Sequence, residues 1–567
     1  MRIKLSLVGF IFLLISLIVL FSEPNIINYF VDGHHSWVSL HSLAIVKNTN
    51  FNTGFVGYTC KNISLDGTTN YLYFNRYPVF FALIAKFILS PWQNNTESYL
   101  YFARQLMNII YLINLLFLYK ISRKFSFSRF ASIASVLITG SSIHWLYYKN
   151  IFHFDQPALL AFTILIYLLI DLKLLNSQGK ESINNKKFYF YVFLLLLIGR
   201  SINIIFFIFS CLILAFYSKK SIFFKIRKQL LIIICFGILI LLANLIYNIS
   251  IESFINNINW RSTSIIDSLL RRIELIKVFD FNNHSILEIH NNKEWFSYFI
   301  PRTLIDILFF FSPLMAIIFS FHAFILIFNL VLRNCRFTFY KYLKGKQLII
   351  KKNQAKIFKN RKIFFDLLKS LLLTYIFWTI FFSNLIYAHD YTTIFIIPIL
   401  FMGTIYIFQL YWNKFEDLIN QNHLANMNTK SGYIDLVKLK KVLIPLSLIF
   451  LVFYFFISVK IFANHSLSKA SNRDKLELSK FFKEVDLHNE SLSSKENLFV
   501  KFDKSWMPGS PYAMCSLINN FLYTEESKLP PDFASTNVPK LNTNRISKRI
   551  SIKNQTYKFL KKYIKNL

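Results

Sequence analysis

Acidic residues and cysteines are both scarce in this sequence, and each scarcity argues against a class of protein. The chain has 29 Asp and Glu residues against 64 Lys and Arg, which leaves a formal charge of +35. Five cysteines occur among 567 residues without a Cys-x-x-Cys pair, so we do not expect a structural zinc site. No RNA- or DNA-binding motif accompanies the basic charge, so no nucleic-acid partner is predicted. Cys60 and Cys515 are able to pair only if both face an oxidising compartment.

Apolar residues are abundant instead. The composition is 54% hydrophobic and 18% aromatic, with a mean hydropathy of +0.42. Soluble globular domains do not have this composition, whereas proteins that cross a membrane many times do. Lysines flank the apolar runs on one side, as positive-inside topology requires. The sequence therefore predicts an all-α polytopic membrane protein.

Apolar runs long enough to cross about 30 Å of hydrocarbon are the predicted spans. They lie at residues 5–21, 101–119, 130–148, 156–172, 188–217, 229–247, 303–332, 363–388, 392–412 and 442–463. Gly199-Arg200-Ser201 interrupts the run 188–217, which we read as two short spans with the break at the outer face. Residues 78–90 are shorter and predict an interfacial or half-inserted helix. The total is about eleven transmembrane helices.

Charge sets the predicted orientation. Arg2 and Lys4 precede the first run, and no small-x-small cleavage site follows it, so the N-terminus is predicted to be cytoplasmic. Loop 333–362 is rich in Lys and Arg without any acidic residue, which makes it cytoplasmic. Loops 23–77 and 249–302 then fall outside, and the C-terminus is extracytoplasmic.

Two domains are predicted. Residues 1–463 form the transmembrane domain, and residues 464–567 form an extracytoplasmic C-terminal domain. The second region contains a helical pattern, LELSKFFKEV, and a strand-like stretch, NLFVKF, at 497–502. We therefore expect a small α/β fold there.

Three polar clusters are predicted to lie on the outer face, each at the end of a span. They are Asp32-Gly33-His34-His35, the stretch NIFHFDQP at 150–157 with His153 and Asp155, and the stretch YAHDYTT at 387–393 with His389, Asp390 and Tyr391. Arg200 and Arg76 add two cations at the same level. Alone, each cluster is equally well read as a turn or a helix cap. Together they are typical of a membrane enzyme with a general base and phosphate or cation binders.

These features resemble the GT-C superfamily of integral membrane glycosyltransferases, most of all the branch of protein O-mannosyltransferases and bacterial aminoarabinose transferases. The resemblance covers residues 5–410 and rests on four features. An early acid, Asp32, lies in the first outer loop, and that loop ends in the aromatic-proline stretch YLYFNRYPVFFALIAKF. A second acid, Asp155, opens a later span, and the stretch HDYTTIFIIPIL comes late in the chain.

The resemblance implies inverting sugar transfer from a polyprenyl-phosphate sugar to a lipid, glycan or protein acceptor in the bacterial inner (plasma) membrane. Asp32 would be the general base, and Asp155 would hold a divalent metal ion or orient the acceptor. Arg200 and Arg76 would steady the donor phosphate. The assisting residues would be His34, His35, His153, His389, Asp390 and Tyr391. Many relatives have an acidic pair where Gly33 follows Asp32 here, which leaves metal dependence open.

Two other functions stay open. A transporter or flippase without catalysis would have polar residues near the membrane midplane, and Asp306 and His322 lie within a predicted span. A glycan polymerase or ligase would use outer arginines and a histidine, and would need no early loop aspartate.

Overall fold

The computed structural model describes sixteen segments of the chain, and these carry the account that follows. They are residues 7–22, 34–49, 58–63, 69–73, 79–176, 185–199, 201–216, 223, 226–254, 300–334, 351–382, 390–426, 436–463, 483, 498–499 and 521–523.

Helices make up most of the described chain. They are α1 (Leu7–Phe21), α2 (His34–Asn48), α3 (Val79–Leu89), α4 (Thr96–Lys124), α5 (Arg129–Gly140), α6 (Ile143–Tyr148), α7 (Asp155–Asn176), α8 (Asn185–Ile198), α9 (Ser201–Phe216), α10 (Arg227–Phe254), α11 (Ile300–Phe309), α12 (Pro313–Asn334), α13 (Lys351–Phe381), α14 (Ile397–Asn426) and α15 (Leu436–Ser458). A 3₁₀ helix, Asp390–Ile396, leads into α14, and a π-helical turn, Val459–Ala463, follows α15. A short 3₁₀ turn, Ser90–Trp92, follows α3.

Six of these helices contain segments long and apolar enough to cross a membrane. The segments are Thr96–Lys124, Asp155–Leu172, Arg227–Tyr247, Lys362–Ile380, Thr393–Lys414 and Val442–Ile461. Shorter apolar helices accompany them, α1, α5, α8 and α9 among these. The predicted class, a multi-pass helical membrane protein, is confirmed. The predicted break in 188–217 is also present, because α8 ends at Ile198 and α9 begins at Ser201.

Two predicted spans are not continuous helices. The run 130–148 divides into α5 and α6, because the backbone turns at Ser141 and Ser142. The run 303–332 divides into α11 and α12, since α12 begins at Pro313, a residue suited to a first helical position and not to a helix interior. The two breaks contact each other. The ring of Phe310, at the end of α11, lies 5.0 Å from the ring of His144 in α6.

Four short strands form one sheet that joins distant parts of the chain. Strands β1 (Tyr58–Ile63) and β2 (Thr69–Tyr73) pair antiparallel, while β3 (Leu498–Phe499) and β4 (Phe521–Tyr523) pair parallel, in the order β2-β1-β4-β3. In the central pairing Lys61 lies opposite Leu522. Strands from within residues 23–77 and from the C-terminal region thus share a sheet. The extent of the predicted domain 464–567 stays a prediction.

Contacts between helix ends define the two ends of the bundle. Lys124 at the end of α4 forms an ion pair with Asp171 near the end of α7, so these helices run in the same direction. We call the end that carries Lys124 and Asp171 the inner end. The opposite end, with Phe21 of α1 and the start of α7, is the outer end. These names follow the predicted orientation.

Candidate functional site

The second acidic residue of the predicted site opens helix α7 and is buried. Asp155 Oδ2 lies 2.8 Å from His153 Nδ1, and both side chains are 4% exposed. The backbone N–H of Asp155 also points at the same ring nitrogen, at 3.4 Å. Phe154, between them, packs edge-on against Phe81 of α3 at 5.5 Å. The structure therefore brings together Asp155 and His153, two residues predicted from one motif.

This acid–imidazole pair bears on the implied metal ion. A carboxylate and a histidine nitrogen are suitable ligands, but here the two groups contact each other directly. Among the described residues, no group of three or more His, Cys, Asp or Glu side chains comes together. Asp32 lies outside those residues. The described residues do not by themselves form a metal site, and no catalytic step is derived through one.

Two buried cations form the most unusual feature of this region. Arg104, on the first third of α4, and Lys149, just after α6, are 2% and 1% exposed. Lys149 Nζ donates hydrogen bonds to Asn108 Oδ1 at 3.0 Å and to Asn150 Oδ1 at 3.2 Å, and both of these acceptors are uncharged. Arg104 and Asn108 are four residues apart, so they share one face of α4. The positive charges of Arg104 and Lys149 are therefore held on the same side of that helix.

Burial changes the ionisation of this lysine. Loss of hydration, together with the nearby charge of Arg104, lowers the pKa of Lys149 to about 7. An anion bound beside the two cations would reverse that shift, because a negative charge favours the protonated lysine. The pair has the composition of an anion site.

Hydrogen bonds fix the depth of the cation pair. Asn108 Nδ2 donates to Gln105 Oε1 at 3.2 Å, and Gln105 Nε2 donates to the carbonyl oxygen of Leu20 at 3.0 Å. Leu20 is the penultimate residue of α1. The cations consequently lie near the outer end of the bundle, at about the depth where α1 ends and the loop containing Asp32 begins.

Helix α2, which begins two residues after Asp32, is anchored at its far end. Lys86 of α3 donates hydrogen bonds to the carbonyl oxygens of Lys47 and Thr49, the Lys47 bond being 3.0 Å long. A cation there suits a helix C-terminus. Tyr99 of α4 donates to the carbonyl oxygen of Leu43 at 3.4 Å. These contacts hold α2 against α3 and α4, the same elements that contact Phe154 and carry Arg104.

The third polar cluster opens an element that packs against α7. Asp390 and Tyr391 begin the 3₁₀ helix Asp390–Ile396. Phe395 of that helix lies 5.9 Å from Phe162 of α7, ring centre to ring centre, and stacks on Phe206 of α9 at 5.6 Å. The elements that carry the second and third clusters are therefore in contact.

Several predicted site residues lie outside the described residues: Asp32, Arg76, Arg200 and His389. His34 and His35 open α2, but their side chains are not described, and the same holds for Asp390 and Tyr391. The roles predicted for all of these residues stay predictions.

Arg104 and Lys149 were missed by the sequence reasoning, although the sequence carried a signal for each. Arg104 lies inside the apolar run 101–119, and an ionisable residue within a span is a functional candidate by default. Lys149 directly precedes the stretch 150–157. Arg200 and Arg76 were predicted as the phosphate ligands instead, because both were expected at the outer face.

No family model matches the chain, and no curated protein matches it. A crystal structure of ArnT from Cupriavidus metallidurans bound to undecaprenyl phosphate is similar over 92% of this chain and 87% of that chain, with 10% identical residues and a TM-score of 0.49.

Proposed function

We propose that this protein is an inverting glycosyltransferase that moves a sugar from a polyprenyl-phosphate donor to a lipid, glycan or protein acceptor at the outer membrane face. The observation that carries the proposal is the buried pair Arg104 and Lys149 near the outer end of the bundle. Two adjacent cations inside an apolar membrane protein are costly unless negative charge or other polar groups meet them. The phosphate of a polyprenyl-phosphate donor supplies such negative charge on a lipid carrier.

The chemistry explains why two cations are useful there. The acceptor hydroxyl gives its proton to the Asp32 carboxylate, and its oxygen forms a bond to the anomeric carbon of the sugar. The bond between that carbon and the phosphate oxygen breaks, and its electron pair goes to the phosphate. The phosphate carries one negative charge as a diester and nearly two after release. Cations that meet this growing charge stabilise the transition state more than the ground state.

The assignment of Asp32 as the base rests on the sequence resemblance. Helix α2 supports this assignment, because it follows Asp32 in the chain and is held against α3 and α4 through Lys86 and Tyr99. Asp155, paired with His153, then serves to orient the acceptor or to keep the imidazole charged.

A transfer assay tests the proposal. Purified protein in lipid is offered a panel of radiolabelled polyprenyl-phosphate sugars, with membrane extract as acceptor. We expect one donor to be consumed by the native protein and not by Asp32→Asn, and Lys149→Met to lose donor binding. Lys120→Gln, which removes an exposed cation near the inner end, is the matched control. Full transfer by Asp32→Asn would contradict the mechanism and favour a polymerase or ligase.

A transporter is the second candidate, and Asn114 favours it. Its side chain is fully buried in α4, about 15 Å along the helix from Arg104, and neither amide atom has a hydrogen-bond partner among the described residues. Polar groups at such depth are typical of transport pathways. Movement of labelled donor across liposomes without any transfer would identify that function.

A further inference from the structure

A long apolar groove opens on the side of the bundle near its inner end. It encloses about 850 Å³ between α5, α12, α14 and α15. Phe130, Ile318, Phe408 and Trp412 line it, and Ile449 and Phe453 of α15 border it with more than half of their surface exposed. The groove is therefore open towards the hydrocarbon that surrounds the protein.

One end of the groove is marked by polar contacts. The backbone N–H of Ser128, which caps α5, donates to Gln409 Oε1 of α14 at 2.8 Å. Half a turn further along α14, the Tyr411 hydroxyl lies 3.1 Å from His322 Nδ1 of α12. Since Ser128 follows Lys124 by four residues, this end of the groove lies at the inner end of the bundle.

Cations collect at that same end. Arg129 is exposed and directly precedes Phe130, and Lys414 is exposed two residues after Trp412, with its Nζ 5.6 Å from the centre of the Tyr411 ring. The first turns of α15 carry Lys438, Lys440 and Lys441, just before Leu443 of the groove lining. In sequence, Glu416 and Asp417 follow on α14 and Asp435 precedes α15, so these stretches contain five bases and three acids.

The length of the groove identifies the kind of molecule it fits. The lining residues Leu443 and Phe453 are separated by about 15 Å along α15, which is half of the roughly 30 Å hydrocarbon core. An apolar slot one leaflet deep with cations at its mouth matches one lipid whose phosphate lies at the inner surface. The cations Arg104 and Lys149 lie towards the opposite end of α4, so a donor lipid bound there has its phosphate at the other face.

We propose that this groove binds an anionic glycerophospholipid of the inner leaflet. One acyl chain fills the apolar slot, and the phosphate contacts Arg129 and Lys414 beside the His322–Tyr411 pair. Basic pockets between transmembrane helices on the cytoplasmic side are suited to such head groups. The site is separate from the proposed transfer reaction and does not depend on it.

Native mass spectrometry of the full chain in detergent tests this site, with phosphatidylglycerol and phosphatidylcholine added separately. We expect one phosphatidylglycerol to be retained at least about tenfold more tightly than phosphatidylcholine, because each nearby cation contributes to anionic-lipid binding. Arg129→Gln combined with Lys414→Gln should weaken phosphatidylglycerol roughly tenfold to thirtyfold. Ser447→Trp, which fills the slot from α15, should remove the retained lipid.

The matched control is Lys120→Gln combined with Lys228→Gln. It removes two exposed cations from α4 and α10 at the predicted cytoplasmic ends of those helices, away from the groove lining, and should leave retention unchanged. Equal affinity for the two phospholipids, or unchanged retention in the Arg129 and Lys414 variant, would overturn the proposal. Displacement of phosphatidylglycerol by an equimolar polyprenyl phosphate would also overturn it, since the groove would then belong to the donor lipid.

Discussion

Gln105 Nε2 donates a 3.0 Å hydrogen bond to the carbonyl oxygen of Leu20, and so ties α4 to the outer end of α1. The same glutamine accepts from Asn108, which accepts from Lys149. A chain of three side chains thus links the buried cation to the helix end from which the loop containing Asp32 departs. Arg104 directly precedes Gln105, so Arg104, Gln105 and Asn108 all lie within little more than one turn of α4.

The ionisation of Lys149 predicts how donor binding depends on pH. The phosphate diester of the donor keeps its single charge, whereas Lys149, with a pKa of about 7 in the free protein, loses its proton as the pH rises. Only the protonated lysine attracts the phosphate, so donor affinity should fall about tenfold between pH 6 and pH 8. Binding of a polyprenyl-phosphate sugar at several pH values measures this fall. Lys149→Arg stays charged and should bind with nearly constant affinity, and an equally steep fall in that variant would exclude Lys149 as the titrating group.

Replacing Asp155 by Asn separates two roles of this residue. Asparagine is about as good as aspartate at a helix start, but its neutral amide does not stabilise a protonated His153. If the carboxylate acts in transfer, turnover should fall about 100-fold or more while thermal stability changes little. Turnover equal to that of the native protein would reduce Asp155 to a helix-starting residue.

Lys86 is expected to hold the end of α2 in place. Lys86→Met removes both donated hydrogen bonds to the α2 terminus, and hydrogen bonds from a charged group contribute about 1.5–3 kcal/mol each. Backbone amides of residues 34–49 should therefore exchange with solvent at least about tenfold faster in this variant. Lys120→Met, on another helix, should leave their exchange unchanged. Unaltered exchange in Lys86→Met would show that packing alone holds α2.

Gly140 and Tyr111 should show coupled effects on stability. A Cβ added at Gly140 would lie 3.0 Å from the Tyr111 hydroxyl and 3.1 Å from both Leu115 and Phe455. The hydroxyl also donates to the Gly140 carbonyl oxygen at 2.6 Å. Gly140→Ala should destabilise the protein by about 1–3 kcal/mol, and Tyr111→Phe by about 1 kcal/mol.

The double variant should be more stable than the sum of the two losses predicts, because removing the hydroxyl also removes one crowded atom. Thermal unfolding in detergent of the native, single and double variants measures this coupling. Strictly additive losses would mean that Leu115 and Phe455, and not the hydroxyl, limit the space at Gly140.

Reporter fusions test the orientation from which the outer and inner ends take their names. A reporter within 333–362 or after Ser126 should be cytoplasmic, and one after Ala463 should be outside. If the reporters after Ala463 and within 333–362 were both cytoplasmic, only the predicted direction of the last span would be wrong. An external signal from 333–362 would reverse the topology as a whole.

The sequence was informative where hydrophobicity alone decides the structure. The run 101–119 lies within α4, and the break at Gly199-Arg200 separates α8 from α9. Hydropathy did not predict the division of 130–148 and 303–332, because each run stays apolar overall across its break. Pro313 carried a local signal for the second break, since proline is suited to a first helical position.

The site was harder to predict. His153 and Asp155 are two residues apart, and one motif contained both. Arg104 lies on α4 and Lys149 lies just after α6, and only the tertiary structure brings them to one face of α4.

The mixed sheet has a consequence for biosynthesis. Strand β1 contains Lys61, but its partner Leu522 is made about 460 residues later. At roughly 5–20 residues per second, β1 waits about 20 to 90 s after its own synthesis before β4 exists. Pairing of β1 with β4 thus requires nearly the whole chain to have been translated. A ribosome that stops early releases a protein whose membrane helices are in place but whose outer loop lacks this pairing.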